Sequence, residues 1–146
     1  MADTWVLVAD SARARVFEVT RENPTLREVA AFTNPEGRIA QRELRHDRLP
    51  RVNESMGHAR HAIEPHTSLK QKSTDRFVRI LRDELERGHA THGYEHLVLV
   101  AAPRFMGALH GALHDSLQKC VVAEVKRNLT PMSLAKIREH LPPRLA

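Results

Sequence analysis

The chain has 146 residues, 41% hydrophobic and 28% charged, the balance of one globular domain and not of a disordered or membrane chain. Its formal net charge is +5 at pH 7 and its pI is about 10.0, which suits acidic partners such as nucleic acid without requiring one. Cys120 is the single cysteine, which excludes an internal disulfide and a cysteine-based zinc site.

The opening residues carry no basic leader, and their apolar run is broken at Asp10, so no signal peptide is expected. No stretch approaches the ~20 apolar residues of a membrane helix, and the cytosol is the expected compartment. Thr4 to Ala9 is almost wholly apolar and predicts a strand buried on both faces. Asp10-Ser11-Ala12 is a polar turn, in which the Asp10 carboxylate is expected to hydrogen-bond its own backbone. Arg13 to Thr20 alternates, with Arg15, Phe17 and Val19 on one face and Ala14, Val16 and Glu18 on the other. After a turn at Glu22-Asn23-Pro24, Leu26 to Phe32 gives a third, weaker strand. Such short connections make an antiparallel meander.

From Thr33 to about His66 the periodicity fails, interrupted by Pro35, Gly37, Pro50, Gly57 and Pro65. Apart from a helical turn over Ile39–Leu44, the stretch reads as a long basic loop, of the kind that is functional or disordered. A helix follows from near Thr67 to Arg87, with Phe77, Ile80, Leu81 and Leu85 as its inner face and Gly88 as its stop. Leu97 to Ala101 is a second fully buried strand. Pro103 opens a helix with Phe105, Leu109, Ala112, Leu113 and Leu117 inward, and Gly107 and Gly111 are placed to let its backbone approach the sheet. Val121 to Val125, with Glu124 outward, reads as an edge strand. Thr130-Pro131 is the N-cap and first residue of a final helix to about His140.

The order is β-β-β-α-β-α-β-α. Right-handed crossovers set the two later strands parallel to the first, giving the sheet order 3-2-1-4-5. The expected architecture is thus α/β, a ribonuclease-H-like mixed five-stranded sheet with flanking helices. It forms one domain over residues 1–146, with a long basic loop at about 33–66.

Three segments carry a resemblance. They are Val6 to Phe17 (Val-Leu-Val-Ala-Asp-Ser-Ala-Arg-Ala-Arg-Val-Phe), Leu97 to Gly107 (Leu-Val-Leu-Val-Ala-Ala-Pro-Arg-Phe-Met-Gly) and Val125 to Thr130 (Val-Lys-Arg-Asn-Leu-Thr). In order and spacing the chain resembles the host-attachment protein family and the wider bacterial release-factor-like proteins. The layout is similar to the central domain of eukaryotic and archaeal translation release factors. There, a loop between the third strand and the first long helix bears a Gly-Gly-Gln motif that reaches the peptidyl-transferase centre. The corresponding loop here holds Ser55-Met56-Gly57-His58-Ala59-Arg60, with one glycine and no Gly-Gly-Gln. The resemblance therefore implies a ribosome- or RNA-associated module without peptide release, or, through the family's label, an indirect part in attachment to host cells.

Asp10 ends the central strand where ribonuclease-H enzymes hold a metal, but two-metal hydrolysis needs several converging carboxylates. The second buried strand ends in Ala101-Ala102, with no acid. His110 and His114 have a helical metal-binding spacing but lack the glutamate of a His-Glu-x-x-His site. No Gly-x-Ser-x-Gly elbow and no glycine-rich phosphate loop occur, and Cys120 is expected to pack. The backbone amides at Arg104 and Phe105 open a helix and could receive an anion. No catalytic residue, metal or cofactor is assigned. Between Arg45 and Lys72, six Arg/Lys face three Asp/Glu, and such a segment can follow a phosphate backbone. The binding residues expected there are Arg48, Arg51, His58, Arg60, His61, Lys70 and Lys72. Their partner is RNA or the ribosome on the first reading, and on the second another protein, in a regulatory role without nucleic acid. A residual hydrolase or nuclease is the third reading. The sequence sets no oligomeric state.

Overall fold

The computed structural model describes residues 4–22, 24–37, 56–91 and 93–143, with side chains from Leu69 onward in the segment that begins at 56. A strand that is apolar from its second residue on has no solvent face to offer, and β1 (Thr4–Ala9) accordingly takes the centre of the sheet. It pairs antiparallel with β2 (Arg13–Val19), from Thr4 opposite Val19 to Ala9 opposite Ala14. On its other side it pairs parallel with β4 (His96–Val100), from Thr4 beside His96 to Val8 beside Val100. β3 (Arg27–Thr33) lies antiparallel on β2, and β5 (Val121–Val125) lies parallel on β4. The order is β3-β2-β1-β4-β5, as the crossover rule requires.

The alternation within each strand divides the core in two. Leu7, Ala9, Ala14, Val16, Leu97 and Leu99 face one layer of helices. That layer is α1 (Met56–Ala90), α2 (Pro103–Ala112) and the short α3 (Asp115–Gln118). Val6, Val8, Phe17, Val19, Val98 and Val100 face the opposite way, onto Leu129, Ile137 and Leu141 of the C-terminal segment. That segment contains α4 (Leu134–Glu139).

The structure corrects several expectations. The basic loop expected over about 33–66 is shorter at its carboxyl side. Thr33 ends β3, residues 35–37 make a helical turn, and α1 begins at Met56 and not near Thr67. Gly57 and Pro65 look like breakers, but Ala59, Arg60, Ala62 and Glu64 are good helix formers. One proline removes a single backbone bond from a helix that propagates on both sides of it. The helical turn at 39–44 lies outside the described residues.

Within α1 the inner face is Phe77, Val78, Leu81 and Leu85, while Ile80 is 53% exposed. At about 100° per residue the four buried positions span an arc of roughly 100°, and Ile80 sits about 60° outside it. The helix after Pro103 does not run unbroken to Leu117. Leu113 leaves it with extended backbone, and His114, also extended, is the N-cap of α3. Gln118 makes the break affordable by donating its side-chain amide to the carbonyls of His110 and Leu113, both at 3.0 Å. Gly107 and Gly111 have no atom near the position of an added Cβ, so neither serves a close approach to the sheet. The final helix starts later than expected. Ser133 is its N-cap, accepting from the Lys136 amide, because the Thr130 hydroxyl is engaged elsewhere.

Candidate nucleic-acid interface

The elements that build the site are the carboxyl ends of the three parallel strands. β1 leaves its end toward β2 on one side, and β4 leaves its end toward α2 on the other. Ligands of open α/β sheets commonly sit outside the carboxyl ends of the strands. At its centre stands Asp10, whose Oδ1 accepts 2.8 Å hydrogen bonds from the amides of Ala12 and Arg13. Its Oδ2 lies 2.8 Å from the Thr130 hydroxyl and 3.4 Å from the Asn128 amide nitrogen. Asp10 thus hydrogen-bonds the backbone of its own turn and also anchors the C-terminal segment against β1. Both of its oxygens are engaged.

Around Asp10 the sheet register gathers a rim of cations. Arg13 begins β2, Arg104 follows β4 at the start of α2, and Lys126 and Arg127 follow β5. The Ala101 amide donates to the Val125 carbonyl at 3.0 Å, which holds the ends of β4 and β5 together. The Asn128–Asp10–Arg13 bonds draw the β5 exit back across β1 to β2. All four cations are exposed. None has an ion-pair partner among the described residues, whereas Arg15, Arg27, Arg76, Arg82, Arg87 and Lys136 are each paired with a carboxylate. The α2 N-terminus opens on the same rim, and its cap, Ala102, offers no side-chain acceptor to the first amides.

α1 brings two of the expected residues to this pole. Asn34, one residue beyond β3, donates its side-chain amide to Ser73 Oγ at 3.1 Å, and Glu36 pairs with Arg76. The first described side chains of α1 therefore lie at the carboxyl end of the sheet, and Lys70 and Lys72 are exposed there. Gly37 seals the contact, since a Cβ on it would fall 2.0 Å from the Ser11 carbonyl oxygen. Of the other expected residues, Arg48 and Arg51 lie outside the described residues. His58, Arg60 and His61 lie on the backbone of α1, their side chains outside the description. The rim residues Arg13, Lys126 and Arg127 were missed by reading for runs of charge. Their signal was positional, as each borders a strand at the same end of the sheet.

Other titratable groups lie along α2, near the end of β5, where Glu124 stands opposite Leu99, and at the amino end of the sheet. His110 Nδ1 is 2.6 Å from Glu124 Oε2. His114 Nε2 is 2.8 Å from Glu86 Oε1, at an angle short of a hydrogen bond. The two histidines turn to different carboxylates, and among the described residues no group of three or more His, Cys, Asp or Glu is placed to hold a metal. Cys120 is only half-buried. Its Sγ lies 3.4 Å from His89 Nε2 and from the Ser116 carbonyl, and partial burial pushes the thiol above its ordinary range. Tyr94 stacks on Trp5 at 4.8 Å and donates to the Leu85 carbonyl at 2.6 Å. Burial first, then the neighbouring Cys120 and Glu86, pushes its hydroxyl upward too. Two acids driven toward their neutral forms make this end poor in nucleophiles.

Among the described residues no helix is long and apolar enough to cross a membrane. A family model described as "Protein required for attachment to host cells" matches residues 5–141. No curated protein matches the chain significantly.

Proposed function

The chain belongs to the host-attachment family over nearly its whole length, and from that premise we propose that it is a non-catalytic, RNA- or ribosome-associated module. Its resemblance to the release-factor central domain supports this reading, with peptide release set aside because Gly-Gly-Gln is missing from the segment around Gly57. The observation that carries it is the exposure of Lys70 and Lys72 on α1, at the pole of the sheet where unpaired cations collect. An electropositive end opposed by few free carboxylates draws polyanions from solution. A part in attachment to host cells is then indirect, exerted through RNA or the ribosome and not by adhesion.

The test is sedimentation of the native, full-length protein from cell lysate. Co-migration with a ribosomal fraction that ribonuclease disperses is the expected result. Migration with protein complexes that survive ribonuclease overturns the reading in favour of a protein-interaction or regulatory role.

A further inference from the structure

We propose that the rim formed by Arg13, Arg104, Lys126 and Arg127 is a docking surface for the sugar-phosphate backbone of single-stranded RNA. The inference rests on the RNA association proposed above and adds where contact is made and to which chemical group. Three separate segments place the four cations at the same end of the sheet, because β2, β1, β4 and β5 are consecutive in it. Each is exposed and lacks a carboxylate partner among the described residues. Of the acids beside them among the described residues, Asp10 has its oxygens engaged by Ala12, Arg13, Asn128 and Thr130, and Glu124, two residues before Lys126, is turned to His110. The rim keeps an excess of positive charge, four cations against the carboxylates beside them.

Its width and composition select the partner. From β2 to β5 is three strand spacings, about 14 Å at ~4.8 Å each, wide enough to follow successive phosphates along a strand. Protein interfaces are built on an apolar centre, whereas nucleic-acid interfaces are polar and strongly positive. None of the exposed large hydrophobic side chains belongs to residues 10–13, 101–104 or 125–128. None of the six aromatic side chains is exposed either, so the surface has no platform for stacking bases. Contact is therefore with phosphates and is indifferent to sequence.

The experiment is fluorescence polarisation with labelled single-stranded uridine and adenosine homopolymers, titrated at several salt concentrations. Each phosphate contact contributes a salt slope of about 0.7 for single strands, so Arg104→Ala with Arg127→Ala should flatten the slope by about 1.4. Arg127→Lys should keep the wild-type slope, and the two homopolymers should bind alike. If the double variant melts early, Lys126→Ala is read in its place, with an expected loss of about 0.7. A wild-type slope in these rim variants, with a flattened slope in Lys70→Ala/Lys72→Ala, overturns the rim while RNA association stands. Strong preference for one homopolymer, or displacement of RNA by polyglutamate at equal charge, also overturns it. Absence of binding to either homopolymer at low salt overturns both proposals.

Discussion

Asp10 shows how one residue type is read from its neighbours and how far that reading reaches. An aspartate two residues before the amide it accepts from is a local turn device, so its bond to Ala12 could be anticipated. Its bond to Thr130, 120 positions away, could not. Cys120 shows the same division. Free cysteine usually packs, but here the thiol is half-buried beside His89. Burial disfavours the thiolate, so its alkylation rate by iodoacetamide should rise with pH along a curve displaced above that of an ordinary thiol near ~8.5. With a single cysteine in the chain, the label reports this site alone. A midpoint below that of a model peptide thiol would mean that His89 stabilises the thiolate, contrary to the burial argument.

At the scale of an element, the register of α1 on the sheet makes a paired prediction. Leu81 is fully buried between the strands and α2, while Ile80, its neighbour, faces out. Leu81→Ala should cost about 2–5 kcal/mol by transfer and cavity terms. Ile80→Ala should stay within about 0.5 kcal/mol, as exposed substitutions do. Urea unfolding of the two variants checks this, and equal losses would mean that the helix is rotated from the position described. The sequence showed that a helix existed and which positions were apolar. It could not rank Ile80 against Val78, because the buried arc is set by where the sheet lies.

At the scale of the whole molecule, one sheet face is covered by a long helix and its partners, the other, among the described residues, mainly by Leu129, Ile137 and Leu141. The second cover is thin, so each of its apolar residues shields much of the layer formed by Val6, Val8, Phe17, Val98 and Val100. Ile137→Ala should cost about 2–5 kcal/mol, and at roughly 2–4 °C per kcal/mol for a chain of this size the melting temperature should drop visibly. Calorimetry of the full-length variant checks it. A drop of a degree or less would mean that this face is covered some other way.

The sequence by itself determined the frame. Two almost wholly apolar strands belong inside a sheet covered on both faces, and short turns with right-handed crossovers favour the strand order observed. Those are local or chiral rules, and they hold wherever the segment sits. The tertiary structure decided what depends on adjacency between distant segments. It gave Thr130 to Asp10 instead of to a helix cap, and it broke the helix at Leu113, where Gln118 could satisfy the freed carbonyls. It also brought Arg13, Arg104, Lys126 and Arg127 to one rim. No run of charge in the chain announces that rim, because electrostatic potential sums over neighbours in space, and those neighbours exist only once the strands have paired.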